Sequence, residues 1–459
     1  MQNNSRANIN FLHHSCPICE SRVIHYNFES GGDQICQCND CDFLFLNSKP
    51  TPETVYDKKS KTEINDEEAV LYLKEITNYY GKKGGSLLIV GYGNENLLSE
   101  AKKVGFNSTS IDNLKKDLPQ QKFDICILAN VLGYEINPAL ALKQIHESLV
   151  PDGVLFIITP SLKNIWSEFK TKQANYFDHQ TIQNVLNKTG FNQVYISSDY
   201  KSVLARSRPL STPKLSVIMP VFNEVNTFSQ LVTTVLEKKL LGVEKEIIIV
   251  ESNSTDGTRE KVLEYKNKPG VLIVLEEKPK GKGAAVRNGL SHATGDFVLI
   301  QDGDLEYDVN DYDQLLIPLL NYQKAFVLGS RHQKGFKMRH FETAPVTSFI
   351  MNVGQKFFVT LLNIFCWQKL NDPFTMYKVF RRDCLSGLTF RANRFDFDFE
   401  LVIKLLRKGY VPLEIPINYK SRSFSEGKKV SVIRDPLTWI VALFRFRFDK
   451  LYQKRYEKQ

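Results

Sequence analysis

From Ser86 onward, short apolar runs alternate with amphipathic ones. The stretch SLLIVGYGNENLLSEAKKVGFNSTSID reads as strand, glycine turn, helix and second strand. FDICILANV is a further buried strand, ALALKQIHESLV a helix and GVLFIITP another strand, reached through the turn LVPDG at Leu149 to Gly153. A Pro- and Ser-containing linker at Arg208 to Pro213, RPLSTP, interrupts this pattern. It then resumes with LSVIMPVFNE, EIIIVESNSTDGTRE, VLIVLEEKPKGKGAAVRNGL and GDFVLIQDGDLEYD, four strands that each run out into a polar loop. Strands separated by helices predict an α/β protein whose parallel sheets present ligands at their carboxyl ends. The expected boundaries are 60–210 for the first α/β domain and 211–459 for the second, with a charged connector around Lys58 to Glu68 leading in.

The front of the chain lacks this pattern and has cysteines instead. Five of the eight lie within the first 41 residues, as CPIC at Cys16 to Cys19 and CQCNDC at Cys36 to Cys41. Pairing Cys16 and Cys19 with Cys38 and Cys41 leaves residues 20–37 between the two CxxC motifs, the spacing of a four-thiolate zinc ribbon. Two disulfides are the alternative, which a reducing compartment disfavours. Four thiolates complete a tetrahedron and leave no open position, so zinc would be structural there, in a module spanning 11–47. Cys36 is a spare or a substitute ligand.

At 459 residues the chain is too long for one core, and 42% hydrophobic with 24% charged residues is an ordinary globular balance. The net charge of +9 is concentrated toward the end, where cations outnumber acids from Lys420 onward. That suits phosphates or an anionic membrane face. The polar opening MQNNSRANIN carries no secretory signal, so a cytoplasmic protein is expected. The most apolar segment, Ala344 to Trp367, is broken by Asn352, Gln355, Lys356 and Asn363 and should not span a bilayer. In DPLTWIVALFRFRFDKLYQKRY, aromatic residues interleave with Arg445, Arg447 and Lys450, as in a helix lying in the membrane interface. A core-packing terminal helix is the other reading.

The segment QDGDLEYD places Asp302, Asp304, Glu306 and Asp308 at alternate positions just past a buried strand. Carboxylates so close repel one another, and a divalent cation would remove that cost. A solvated acidic loop is the plainer reading of any single Asp-x-Asp, and the motifs around it decide between the two.

Those motifs are the PVFNE opening, STDGT, GKGAAVRNGL, Asp302-Gly303-Asp304, Gly329-Ser330-Arg331, NDPFTMYKVFRRD and YKSRSFSEGKKV, in that order from about Leu215 to Asp435. The chain there resembles a family 2 glycosyltransferase of the GT-A fold, most closely the dolichol-phosphate mannose synthase branch. The resemblance implies Mg2+ or Mn2+ held by Asp302, Asp304 and Glu306, where it neutralises charge growing on a departing nucleoside diphosphate. It also implies nucleotide-sugar contacts from Pro220, Glu224, Glu251, Asp256, Lys282 and Arg287, and from Arg422, Lys428 and Lys429 on a loop that closes over the diphosphate. Arg331 and Arg339 would meet a lipid-phosphate acceptor. A sugar-hydroxyl acceptor would instead need a general base, for which Asp396, Asp398 and Glu400 in RFDFDFEL are candidates.

The earlier α/β half resembles a class I S-adenosylmethionine-dependent methyltransferase, on Gly91-x-Gly93 after its first strand, Asp112 ending its second, LVPDG and FDHQTIQNVLNKTGF. That resemblance implies a Rossmann-like fold with Gly91, Gly93 and Asp112 at the cofactor. The chain departs from it at Ile89 and Glu95, and at Gly133-Tyr134, where relatives often carry Glu-His. A zinc-binding front end on such a domain also resembles known sugar methyltransferases.

The leading expectation is an inverting glycosyltransferase moving a sugar from a nucleotide-sugar to polyprenyl phosphate or a glycan in cell-surface polysaccharide or glycoconjugate synthesis, peripheral on the inner face of the membrane. Two alternatives are a bifunctional protein that also methylates a sugar, and an N-terminal half that serves only as a binding or recruitment module. Nucleic-acid binding is not expected, because the cations accompany acid-lined nucleotide-sugar motifs rather than a base-stacking platform.

Overall fold

The computed structural model describes residues 13–30, 33–47, 64–114, 118–159, 173–197, 199, 201–207, 212–332, 345–385, 387–421, 434–449 and 451. The chain divides into two compact units, Met1–Ser211 and Thr212–Gln459.

In the first unit, strands β1 (Ile24–Ser30), β2 (Asp33–Cys38) and β3 (Leu44–Leu46) form an antiparallel sheet below the paired cysteine turns. A fourth strand comes from far along the chain: β8 (Asn175–Tyr176) pairs with β3, Leu44 facing Tyr176. The sheet of the 11–47 module is therefore completed by a strand from the following domain. Phe43 packs against Phe177 with ring centroids 5.1 Å apart, and Cys16, Ile18, Cys38 and Cys41 share one apolar cluster with the neighbouring α/β core.

That core is a six-stranded sheet, ordered β5-β4-β6-β7-β10-β9. β4 (Gly85–Val90), β5 (Phe106–Ile111), β6 (Phe123–Ala129) and β7 (Leu149–Ile158) run parallel, and β10 (Ser202–Ser207) is antiparallel to both β7 and β9 (Phe191–Ile196). LVPDG, expected to be a turn before a strand, lies inside β7 as a register shift between Phe123 and Ile125, with Asp152 at φ 62°. The charged connector also ends sooner than expected. Helix α1 (Asp66–Tyr80) begins within it, because Asn65 and Glu68 form a reciprocal capping box.

The second unit is a seven-stranded mixed sheet, ordered β13-β12-β11-β14-β16-β15-β17. β11 (Lys214–Val221), β12 (Glu244–Glu251), β13 (Val271–Leu275) and β14 (Phe297–Ile300) are parallel. β16 (Lys378–Arg381) is antiparallel to β14 and β15 (Phe326–Ser330), while β17 (Leu413–Pro416) runs parallel to β15. Both units are thus α/β, as the alternation of apolar runs predicts.

Helices pack against this second sheet. Gly289, in the helix Lys282–His292, permits the closest approach: a Cβ there would lie 2.5 Å from Ile218 Cγ2 of β11. The helices Pro345–Cys366 and Arg434–Phe448 pack together through Phe365 and Phe444, with centroids 4.7 Å apart, and Phe358 and Trp439, 5.2 Å apart. Among the described residues, no helix is long and apolar enough to cross a membrane.

Candidate functional site

The polar exits of the four parallel strands of the second unit lie at one edge of the sheet, and hydrogen bonds lock them together. After β11, the main-chain N–H of Asn223 donates to Ser254 Oγ (3.0 Å), that of Glu224 to Thr258 Oγ1 (2.9 Å) and that of Val225 to Asp256 Oδ2 (3.2 Å). Thr255 N–H donates back to Asn223 Oδ1 at 2.9 Å. Thr227 Oγ1 reaches across to Gly303 O at 3.2 Å, and a Cβ on Gly303 would sit 3.4 Å from Pro220 O. The PVFNE loop, the STDGT turn and the Asp302-Gly303-Asp304 loop therefore form one assembly.

The acids in this assembly differ in what holds them. Glu251 is fully buried; it accepts from Ser254 N (2.6 Å) and Asn253 N (3.2 Å) and pairs with Arg259. Asp256 Oδ1 accepts from Thr258 N at 3.0 Å, just ahead of the helix Thr258–Leu263. Burial pushes its carboxyl up, but hydrogen bonds from Thr258 and Val225 outweigh that and hold it below the ordinary range. Both residues sit at the expected edge, where they build the loop. Glu276, absent from the sequence-based candidates, is buried beside them and accepts from Ser252 Oγ at 2.7 Å and Asn288 Nδ2 at 3.2 Å.

Asp302 lies at the carboxyl end of β14 and makes an ion pair with Lys282, which opens the helix Lys282–His292. Asp304 is buried, and its Oδ1 accepts from Glu306 N at 3.1 Å. Glu306 turns aside to accept from Tyr419 Oη at 2.9 Å, and Asp308 caps Asn310 N at 2.9 Å. Among the described residues, the only three or more His, Cys, Asp or Glu ligand atoms gathered closely enough for a metal are the thiols of Cys16, Cys19, Cys38 and Cys41, all within 4.8 Å of one another. Asp302, Asp304 and Glu306 are thus held by three different partners, Lys282, the Glu306 main chain and Tyr419.

Beneath the acidic loop is a support that the sequence reading missed. Gln301 is fully buried; its Oε1 accepts from Tyr312 Oη (2.8 Å) and Tyr377 Oη (2.9 Å), and its Nε2 donates to Asp302 O (3.0 Å). Tyr307 Oη accepts from Met376 N at 2.9 Å. Gln directly before an Asp-x-Asp, with several tyrosines nearby, was the only available signal.

Two expected phosphate contacts are committed elsewhere. Arg287 donates to Phe390 O (3.2 Å) and Asn393 Oδ1 (2.6 Å). Arg331, expected to grip the acceptor phosphate, directs Nε and Nη2 to the buried carboxylate of Asp372. The base candidates are similarly engaged. Glu400 accepts from Arg391 N, Ala392 N and Lys404 Nζ, Asp398 pairs with Lys378 at 2.8 Å, and Asp396 accepts from Arg394 N at 3.0 Å. Arg339, Arg422, Lys428 and Lys429 lie outside the described residues.

In the first unit, Gly91 has φ 139°, and a Cβ there would meet Ala129 O at 2.5 Å, so this turn requires glycine. Gly93, at φ 68°, completes it before the helix Glu95–Lys103. Asp112 follows β5 and is exposed, and neighbouring Asn113 donates to Tyr92 Oη at 3.2 Å. Glu95, where the chain departs from the family pattern, is exposed in the first helical turn. Across the sheet edge, Ala174 N donates to Gly133 O at 2.9 Å, and a Cβ on Gly133 would lie 2.6 Å from Gln173 Oε1. The chain leading into β8 thus lies directly on the Gly133-Tyr134 turn.

Residues 216–388 match the model of glycosyl transferase family 2, and residues 65–196 match that of a methyltransferase domain. A dolichol-phosphate mannosyltransferase of Pyrococcus furiosus is 28% identical over 217 residues, covering 47% of this chain and 59% of that protein. One from Mycosarcoma maydis is 29% identical over 249 residues, covering 52% of this chain and 81% of the relative. Among solved structures, glucosyl-3-phosphoglycerate synthase of M. tuberculosis is similar at 19% identity with a TM-score of 0.39, covering 51% of this chain and 80% of that one. The second unit is thus similar to family 2 glycosyltransferases and the first to methyltransferase domains.

Proposed function

We propose that the second unit transfers a sugar from a nucleotide-sugar to a polyprenyl phosphate. The observation that carries this reading is the Asp302-Gly303-Asp304 loop, locked by Thr227 and Gln301 to the ends of β11 and β14 at the carboxyl edge of the sheet. Asp302 and Asp304 offer hard oxygen donors suited to Mg2+ or Mn2+, and the ammonium of Lys282 already occupies a cation position against Asp302. The metal would supply electrostatic stabilisation of the departing diphosphate. Pro220 and Glu224 border the loop on the nucleoside side.

An ionised phosphate acceptor needs no proton removed. The commitments of Asp396, Asp398 and Glu400 to main-chain donors and lysines support that acceptor over a sugar hydroxyl. The names of the relatives point the same way. A single displacement at the anomeric carbon would invert its configuration. The helices Pro345–Cys366 and Arg434–Phe448 expose Phe357, Ile364, Val441, Phe444 and Phe448, with Arg445 among them, which supports peripheral attachment to an anionic membrane.

The test is a panel of nucleotide-sugars with Mn2+, with and without a polyprenyl phosphate. Product that forms only with the lipid supports the reading. Efficient transfer to a free sugar hydroxyl, with no use of the lipid, overturns it.

For the first unit we propose a binding rather than a methylating role. The specific support is Gln173 and Ala174 lying on the Gly133-Tyr134 turn, where a methyl acceptor would have to enter.

A further inference from the structure

Lys282 stands in an unusual position for a cation expected to meet phosphate. Its ammonium makes an ion pair with Asp302, the first carboxylate of the loop, and both side chains are largely withdrawn from water, at 21% and 16% exposure. The other groups near it are poor partners for a charge: Met376 Sδ at 3.1 Å and the face of Phe395, 5.7 Å from ring centre to nitrogen. Besides Asp304, the second acid of the loop, Asp398 is the other carboxylate that acts on Lys282. Its charge is already met by Lys378, which is fully buried, pairs with it at 2.8 Å and also donates to Thr375 O.

Asp302 therefore has two claimants. A divalent cation bound between Asp302 and Asp304 would either face the ammonium at close range, where like charges repel strongly in a partly desolvated site, or displace it. Once displaced, Lys282 would find no unpaired anion in Asp398. A diphosphate arriving with the metal supplies that anion.

We propose that Lys282 is an exchange cation: it holds Asp302 in the nucleotide-free enzyme and passes that carboxylate to the divalent metal in return for the diphosphate of the donor. Metal alone then binds poorly, and metal and nucleoside diphosphate each strengthen the other's binding by the same factor. This inference rests on the reading of the loop as a metal and nucleotide-sugar site. It assigns Lys282 a role beyond phosphate contact, as the residue that keeps metal from settling before substrate.

The test is titration of Mn2+, followed by its paramagnetic resonance signal, into the full-length protein, alone and with saturating UDP or GDP, with no turnover involved. For wild type, the nucleotide should tighten Mn2+ binding about ten-fold or more. For Lys282→Met, Mn2+ alone should bind about ten-fold tighter than to wild type, because a nearby positive charge is gone. Nucleotide should then add little, and Mn2+ alone should raise the melting temperature more than it does for wild type. Lys282→Arg retains the charge, should keep the wild-type pattern, and serves as the comparison if the methionine variant folds poorly.

Unchanged or weaker binding of Mn2+ alone to Lys282→Met, with nucleotide still bound, overturns the exchange and leaves the functional reading intact. Should Lys282→Met not fold, a Lys282→Arg protein that loses the coupling between metal and nucleotide overturns it equally. Failure of wild type to bind either nucleotide with Mn2+ overturns the functional reading, and the exchange with it.

Discussion

Arg331 and Asp372 form a two-pronged ion pair inside the second unit: Nε to Oδ2 at 2.8 Å and Nη2 to Oδ1 at 2.7 Å, with the Arg331 main-chain N–H also donating to Oδ2 at 2.9 Å. Asp372 is fully buried and Arg331 nearly so. Burial pushes the Asp372 carboxyl up, but the guanidinium outweighs it and holds the group below its ordinary range. The pair fixes the NDPF segment against the end of β15.

Asp372→Ala should leave a buried guanidinium uncompensated and cost about 3–5 kcal/mol of stability. Chemical denaturation should show this loss together with a lower melting temperature. A change below about 1 kcal/mol would mean that the pair is solvated.

Asp304→Asn is the more informative substitution at the acidic loop, because the amide oxygen can still accept from Glu306 N while the charge is lost. Transfer should fall on the order of 10²- to 10³-fold, with an unchanged melting temperature. Turnover near wild type in that variant would refute a metal-binding role for Asp304.

Purified protein should contain about one zinc per chain, bound by Cys16, Cys19, Cys38 and Cys41. Lys188 joins this turn to the α/β core by donating to Ile18 O at 2.7 Å, and Phe43 packs on Phe177. Chelation should therefore lower the melting temperature of the methyltransferase-like half as well as unfold the ribbon. Metal analysis of freshly prepared reduced protein is the check; absence of zinc sinks the assignment.

Glu246 should make the second unit sensitive to acid. Burial pushes its carboxyl up, but Lys214, Ser216 and Thr294 outweigh that and bring it down to about 2. Because the folded value lies below the unfolded one, the stabilisation is complete above about pH 4.5 and is lost as pH falls toward 2, on the order of 1–2 kcal/mol once screening by solvent is allowed for. Glu246→Gln should flatten this part of the stability–pH curve. An unchanged acid limb would show that the group is not held down.

The methyltransferase-like half should bind S-adenosylmethionine weakly or not at all. Glu95 is exposed at the start of the helix that follows the glycine turn. Its charge is screened by water and sits favourably at a helix N-terminus, so Glu95→Gly should alter affinity less than about three-fold. Calorimetry is the measurement, and micromolar or tighter binding to the unmodified protein would favour a bifunctional enzyme.

What the sequence determined by itself was local and repetitive. Two CxxC turns announce four thiolates, since the ligand spacing is set within each turn. Apolar runs ending in SNSTDGT or QDGD announce strands that deliver polar groups to one edge, since side-chain alternation and chain direction belong to the strand. Even the missed helix Asp66–Tyr80 had a local signature in Asn65 and Glu68. Tertiary structure alone decided what each polar side chain touches. Residues 24–46 gave no hint that β3 would pair with β8, more than a hundred residues later. The motifs around Arg331 and Glu400 point to chemistry, yet Asp372 and the main chain at Arg391 and Ala392 claim them. The motif around Lys282 points to a phosphate contact, yet the side chain faces Asp302. A buried charge must find a partner wherever packing brings one, and that choice is made by strands and helices distant in sequence, after the local pattern has done its part.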